Sequence, residues 1–167
     1  MRDTNGQSKK HETPLCYSSE EARTVLDSLS AHIAIMDEYG VILDTNQAWR
    51  DFAVKGGMPK DYDAIGDNYL AICDASDGED SADARTVAAG IREVIDGGED
   101  EFIHDYPCHS TDGPHWYYMR AIRMSGEGPL RVVVSHEEIT ALKLSEEALR
   151  KSEAQLTKQK VELEDSN

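Results

Sequence analysis

The feature that most constrains this chain is an abrupt change of hydrophobic period close to its C-terminal end. Residues 131–136 (Arg-Val-Val-Val-Ser-His) form a β-branched run that is typical of a strand. The period then becomes seven residues, which predicts a helix with one apolar seam. The seam residues are Leu142, Leu149, Leu156 and Leu163. Almost no linker separates the strand from the helix, so a conformational change in the sheet could be transmitted to the helix. We therefore interpret the chain as a sensor module with its output helix attached.

Only half of this seam is apolar. The other core position reads Ser145, Ser152 and Gln159, or Glu146, Glu153 and Lys160, depending on the register. Such a coiled coil is weak on its own, and strength of pairing is what a switch would vary. We expect a homodimer through the seam; the alternative is a single helix that packs back on the domain.

Composition argues against several classes of function. The chain has 167 residues, 39% of them apolar, which suits one domain plus an appendage. A formal charge of −16 argues against nucleic acids and anionic membranes as partners. Cys16, Cys73 and Cys108 are widely spaced and form no CxxC pair, as expected of reduced cytosolic thiols. No apolar run approaches the roughly 18 residues of a membrane span, so we expect a cytoplasmic protein without direct membrane contact.

Local patterns in the first half predict helices around one hairpin. Residues 18–21 (Ser-Ser-Glu-Glu) offer a capping box for an amphipathic helix. Residues 32–44 read as two strands with a turn at Gly40. Asn46 is placed to cap a short helix that ends at Gly56, and a helical turn is expected around Tyr69.

The second half predicts one long helix followed by three strands. A helix capped by Asp80 or Ser81 should end at Gly97. The strands are expected at residues 101–109, 115–124 and 130–136. Two groups of strands separated by helices indicate an α+β fold, an antiparallel sheet with helices on one face. We divide the chain into a disordered or linker segment (residues 1–17), a domain with its N-terminal helix (18–140) and a coiled-coil helix (141–167).

Three stretches, taken in order, resemble the PAS domain family. Residues 37–42 (Asp-Glu-Tyr-Gly-Val-Ile) and 46–49 (Asn-Gln-Ala-Trp) resemble the family's first hairpin, in which D-x-x-G-x-I leads to N-x-A-[FW]. Residues 116–124 resemble its fourth strand. The end of the third predicted strand resembles the terminal D-I-T motif and its signalling helix, with Glu in the place of Asp. This junction motif is Glu138, Ile139 and Thr140.

The resemblance covers the chain from Ser18 onward and implies both a fold and a role. The fold is a five-stranded antiparallel sheet whose concave face meets the central helices, with ligands bound between that face and the long helix. The role is that of a sensory module in a bacterial signal-transduction protein, such as a two-component histidine kinase or a diguanylate cyclase, acting on a downstream kinase or cyclase domain. The alternatives are a ligand-free dimerisation module, or a flavin- or haem-binding redox or gas sensor.

Alignment with flavin-binding members of the family places a polar set of side chains on the concave face. The expected ligand pocket comprises His136, Val134, Tyr117, Met119, His104, Tyr106, Cys108, Met36 and Tyr69. Either these polar groups form hydrogen bonds with one another, or they form them with water or a polar ligand. We expect the imidazole of His136 beside Tyr117 and Cys108, where it would link the pocket to Glu138. Outward-facing Trp116 and Tyr118 would be covered by the N-terminal helix (Val25, Leu26 and Leu29) or by a partner.

The sequence does not favour a cofactor, a metal or an enzyme. In residues 66–73 Tyr69 occupies the place of the reactive cysteine in the flavin signature G-x-N-C-R-F-L-Q, and residues 81–96 lack the histidine that usually binds haem in this family. His104 and Cys108 share a strand face, but His109 faces away and His115 follows a turn, so four zinc ligands do not converge. Adjacent Ser135 and His136 face opposite sides of a strand and cannot act as nucleophile and base.

Overall fold

The computed structural model describes residues 18–78, 81–108 and 113–165, with the backbone alone at Asp165. Five helices and five strands lie in these ranges. The helices are α1 (Ser19–Asp27), α2 (Gln47–Lys55), α3 (Tyr69–Asp74), α4 (Ser81–Asp96) and α5 (Thr140–Asp165). The strands are β1 (His32–Met36), β2 (Ile42–Thr45), β3 (Glu101–Pro107), β4 (Trp116–Arg123) and β5 (Val132–Glu138). The expectations for residues 1–17, Cys16 among them, for a cap at Asp80 and for His109 lie outside the described residues.

The strands form one antiparallel sheet in the order β2-β1-β5-β4-β3. The predicted α+β architecture, with an antiparallel five-stranded sheet, is therefore confirmed. Strand β5 has the expected length but is shifted: it begins at Val132 and continues two residues beyond His136, because Glu137 and Glu138 still pair with Tyr118 and Tyr117 of β4. The sheet thus extends to Glu138, the first residue of the junction motif.

Short-range caps begin the helices as the sequence predicted. The Ser18 hydroxyl accepts from the amide of Glu21, whose carboxylate accepts from the amide of Ser18, so both halves of the capping box are present. Asn46 caps α2 by accepting from the amide of Trp49 at 3.0 Å. Its carboxamide nitrogen also donates to the carbonyls of Leu26, Leu29 and Ala31, while its oxygen accepts from Ile33. One fully buried side chain therefore joins α1, β1 and α2.

The core lies between the inner sheet face and α4. Fully buried Ile91 and Val94 of α4 pack against Met119 of β4 and Val134 of β5. The helix can approach β3 closely because position 90 is glycine, and a Cβ atom there would overlap the ring of Phe102. This close approach fixes the distance between the helical layer and the sheet.

Helix α1 does not cover the outer face of the sheet, which was one of the two alternatives predicted from the sequence. The Arg23 guanidinium binds the Asp44 carboxylate and donates to the carbonyl of Thr45, and Asp27 pairs with Arg50 of α2 at 3.0 Å. These contacts hold α1 against α2 and the end of β2. Val25 and Leu29 remain half-exposed. The idea that they cover Trp116 and Tyr118 on the outer face is wrong, because polar contacts rather than the apolar stripe position the helix.

Candidate functional site

The inner sheet face follows the parity expected from the sequence. Along β4, Tyr117, Met119 and Ala121 are buried, and along β5 Val132, Val134 and His136 are buried. On edge strand β3, Phe102, His104 and Tyr106 are the less exposed residues. Tyr106 lies opposite Tyr117, and His136 lies opposite Met119. The polar side chains therefore gather at the end of the sheet from which α5 departs.

His136 is held by two phenol groups on opposite sides of its ring. The hydroxyl of Tyr69, from α3, lies 3.0 Å from Nε2, and that of Tyr106, from β3, lies 2.8 Å from Nδ1. Burial, followed by the charge of His32, lowers the pKa of His136 to about 4, so the imidazole is neutral at pH 7. A neutral imidazole has one donor and one acceptor nitrogen. One tyrosine must therefore donate to the ring while the other accepts from it.

The tyrosines extend this arrangement into a chain of uncharged groups. Burial raises the pKa of both hydroxyls, with smaller contributions from Cys73 at Tyr69 and from Cys108 at Tyr106. The Tyr69 hydroxyl also contacts the Cys73 thiol, whose pKa is raised mainly by burial. If the hydrogen-bond partner of one tyrosine hydroxyl changes, the tautomer of His136 can reverse. The tyrosine hydroxyl on the opposite side of the imidazole then reorients.

Two cavities share this chain of groups as a common wall. The inner cavity, between α3, α4 and β3, has a volume of about 140 Å³. It is lined by Tyr69, Cys73, Ser76, Asp83, Ala84, Val87, Tyr106, Pro107, Cys108 and His136. The aromatic chamber, between α2 and the sheet, has a volume of about 130 Å³. It is lined by His32, Trp49, Phe52, Tyr69, Tyr106, Tyr117 and His136.

The structure brings some of the expected pocket residues together and separates others. His136, Tyr106, Tyr69 and Cys108 line the inner cavity, and Tyr117 lines the aromatic chamber. Met36, Met119 and Val134 lie in the fully buried core cluster against α4. The imidazole of His104 lies 2.8 Å from the carboxylate of Asp83. The hydrogen-bond partners of His136 are Tyr69 and Tyr106. The neighbours expected from the sequence, Cys108 and Tyr117, line the inner cavity and the aromatic chamber together with His136.

Three residues of the aromatic chamber were not among the expected pocket residues. Trp49 and Phe52 come from α2, and His32 begins β1. The rings of His32 and Phe52 stack with centroids 4.5 Å apart, and Trp49 lies 5.9 Å from His136. The available signal was the spacing of Trp49 and Phe52, which places both rings on one helix face. The sequence predicts the helix itself, with its cap at Asn46, but assigns neither ring to the pocket.

The junction motif joins the sheet to α5 by a small set of polar contacts. Glu138 Oε1 lies 2.6 Å from Nδ1 of His115 and accepts from the hydroxyl of Thr140 at 2.8 Å. The contacts with His115 and then with Thr140 lower the pKa of the Glu138 carboxyl. The Thr140 hydroxyl also accepts from the amide of Trp116. Both ends of the junction are therefore tied to the start of β4.

Helix α5 leaves the domain soon after this junction. Lys143 pairs with Asp105 of β3 at 2.9 Å, and beyond it every side chain described as far as Glu164 is exposed. The seam residues Leu142, Leu149, Leu156 and Leu163 are between 56% and 70% exposed. This is an unusual surface for four leucines in regular order.

Two further site types find little support in the described part of the chain. No group of three or more His, Cys, Asp or Glu side chains is placed there to hold a metal ion. His104 and His115 approach different carboxylates, those of Asp83 and Glu138. Among the described helices, none is long and apolar enough to cross a membrane.

Comparison with known proteins identifies a relative of unassigned function. No family model matches the chain. Over 120 residues, 71% of this chain, it is 38% identical to an uncharacterised 104.1 kDa protein of Rhodobacter capsulatus. The match spans only 12% of that relative.

Solved structures give the fold. The PAS domain of BvgS from Bordetella pertussis aligns with a TM-score of 0.52 and 19% identity over 80% of this chain and 96% of that domain. A VqmA dimer from Vibrio cholerae, solved in the absence of its target DNA, aligns with a TM-score of 0.56 and 16% identity over 75% and 53% of the two chains. VqmA bound to DPO aligns at 0.54 and 17% identity over 73% and 58%. With this likeness and its sheet order of β2-β1-β5-β4-β3, the chain has the PAS fold.

Proposed function

We propose that residues 18–140 form a sensory module that binds a small molecule beside His136, and that α5 carries the signal to an output domain. The observation that carries this proposal is the position of His136 on β5. Its ring forms part of the wall of both cavities, and its backbone lies two residues before Glu138 in the same strand. A ligand that turns or displaces the imidazole ring of His136 therefore acts on β5, the strand that leads into α5.

The second part of the proposal is a homodimer through α5. The exposed leucine seam supports it, because a row of leucines in contact with water gains free energy by pairing with a second copy. VqmA is described as a dimer and as bound to DPO, which supports both pairing and a small-molecule ligand. It is also described with a target DNA; the formal charge of −16 leads us to propose no nucleic-acid contact for this chain.

The test is a fusion of the chain to a histidine-kinase catalytic domain, in helical register with α5. His136→Gln keeps a polar group but changes its hydrogen bonding, and Ser135→Ala alters the neighbouring, opposite face of β5. We expect His136→Gln to change kinase activity at least severalfold while the domain stays folded at the assay temperature, and Ser135→Ala to leave it unchanged. Kinase activity that falls only in proportion to the folded fraction would show that His136 is a structural core residue.

A ligand-free dimerisation module is the second candidate. It is favoured by the hydrogen-bond balance of the described residues, in which no buried side-chain nitrogen or oxygen lacks a partner. A thermal-shift screen against neutral, cationic and anionic metabolites separates the two candidates. If none raises the Tm while the chain stays dimeric, the ligand-free function is correct.

A further inference from the structure

Every described residue that lines the aromatic chamber has an aromatic side chain. Two histidines, three tyrosines, one tryptophan and one phenylalanine line it. Trp49 and His136 have centroids 5.9 Å apart at an angle of 54°, and Phe52 and Tyr117 have centroids 5.9 Å apart at 67°. The stacked ring of His32 covers one face of Phe52, so Phe52 can offer a ligand only its other face, beside the tilted rings of Trp49, His136 and Tyr117. Phe52 is 44% exposed and forms the rim.

The electrostatic character of this wall favours a cation. The face of an aromatic ring attracts a positive charge that lies within about 6 Å of its centre. Among the residues that the structure describes, no lysine or arginine lines the chamber. Burial lowers the pKa of both His32 and His136, so the two imidazoles are uncharged at neutral pH. Glu138 and Lys55 act on His32 with opposite signs, and the formal charge of −16 raises the concentration of cations around the whole chain.

The wall also limits the kind of cation. The hydroxyls of Tyr69 and Tyr106 lie within hydrogen-bonding distance of His136, and the described part of the chain contributes no carboxylate to the chamber lining. A primary ammonium ion would lose its hydrogen bonds to water here without an ionic replacement. A quaternary ammonium ion has no N–H groups and does not meet that cost. A cavity of about 150 Å³ holds benzene, which has six carbon atoms; a trimethylammonium group has only four non-hydrogen atoms, so the chamber volume of about 130 Å³ is enough for it.

We infer that the aromatic chamber binds a small methylated ammonium cation, held by the faces of Trp49, Phe52 and the rings around them. This inference rests on the proposed sensory function, since the chamber shares the wall of His136 with the inner cavity. It names the chemical class of the ligand, which the fold alone does not.

The binding test uses the 167-residue chain and a pair of ligands that differ in charge. Choline and tetramethylammonium are titrated by calorimetry against 3,3-dimethylbutan-1-ol, the neutral isostere of choline, at constant ionic strength. We expect saturable binding of one cation per chain, with choline at least about tenfold tighter than its neutral isostere. Equal affinity for the isostere, or no saturable binding by the folded chain, overturns the inference.

Variants assign the binding to the chamber. Phe52→Leu and Trp49→Leu each remove one ring face, and we expect each to weaken choline binding about five- to tenfold. Phe52→Tyr keeps a ring and should retain affinity. Tyr39→Leu removes a ring that is 71% exposed and outside the chamber, and it should leave affinity unchanged. Circular dichroism confirms that each variant is folded, and an equal loss of affinity in Tyr39→Leu contradicts the assignment.

The two proposals fail in different ways. If choline does not bind but another small molecule raises the Tm in a manner that depends on His136, the sensory function stands and the ligand class is wrong. If choline binds in the chamber but the activity of the kinase fusion does not respond to it, the ligand class is correct and the sensory function is wrong.

Discussion

At the scale of single residues, His136 combines burial with two hydrogen-bond partners that can each donate or accept. Its imidazole sits between Tyr69 and Tyr106, and its pKa is lowered to about 4 mainly by burial. The ring therefore enters the folded state uncharged, whereas in the unfolded chain it titrates near pH 6.5. Folding stability must depend on pH for this reason alone.

The sign of that dependence follows from the direction of the shift. Because the pKa of His136 is lower in the folded state, the unfolded chain binds the extra proton between about pH 6.5 and pH 4, and stability falls as pH decreases through this range. We expect the wild type to lose about 2–3 kcal/mol more than His136→Gln between pH 8 and pH 4.5. Urea unfolding at both pH values measures the difference, and equal losses in the two proteins would contradict it.

At the scale of elements, Gly90 fixes how closely α4 approaches β3. On an open helix face Gly→Ala would stabilise the helix by up to about 1 kcal/mol. Here the added Cβ would overlap the Phe102 ring. We expect Gly90→Ala to destabilise the domain by about 1–3 kcal/mol, as overpacking usually does.

A double-mutant cycle tests whether the overlap is the cause. Phe102→Leu should cost less in the Gly90→Ala background than in the wild type, as measured by chemical denaturation. Additive costs would show that Gly90 matters for another reason.

The junction between β5 and α5 is a second feature at this scale. Glu138 accepts from Thr140 and contacts His115, so its carboxylate links the end of the strand to the first turn of the helix. Because these contacts lower the pKa of Glu138, their contribution is present at neutral pH and is lost as pH falls through that lowered pKa.

We expect Glu138→Gln to loosen the start of α5. The amides of residues 139–143 should exchange with deuterium severalfold faster, while those of β4 stay protected. Glu137→Gln removes the same charge from the neighbouring residue and serves as the matched control. If the deuterium-exchange rates do not change in Glu138→Gln, the hydrogen bond from the Ile139 amide to the Trp116 carbonyl holds the junction without the carboxylate.

The elements themselves were largely predictable because their signals are local. The Ser18 capping box, Asn46 and the β-branched run of β5 act within a few residues of where they stand. The position of α1 was not predictable in the same way. It depends on contacts between Arg23 and Asp44 and between Asp27 and Arg50, which join residues more than twenty positions apart.

The site shows the same division between local and distant information. Strand parity, with the inward set chosen by the alignment to flavin-binding members of the PAS family, was enough to place His136, Tyr106 and Tyr117 on the inner face. It could not show that α3 brings Tyr69 to Nε2, nor that α2 closes the chamber with Trp49 and Phe52. The helical layer decides those contacts, and its course over the sheet is set by packing rather than by any repeating pattern.

At the scale of the whole molecule, the exposed seam of α5 predicts the assembly. Leu149→Lys with Leu156→Lys places like charges where two parallel helices would meet, and we expect monomers in sedimentation at micromolar concentration. The control, Ala154→Lys with Val161→Lys, adds the same two charges with the same seven-residue spacing on the side of α5 away from the seam in either register, and should remain dimeric. A double seam variant that keeps the dimer mass would place the interface on α1 or on the outer sheet face.

The pairing of β1 with β5 has a consequence for how such a unit can be arranged within a longer polypeptide. His32, at the start of β1, lies opposite His136, near the end of β5, so the chain enters and leaves the sheet at the same end on adjacent strands. Domains whose ends are close together tolerate insertion into a host chain. A host chain would therefore attach to this sheet at two neighbouring points, before His32 and after Glu138.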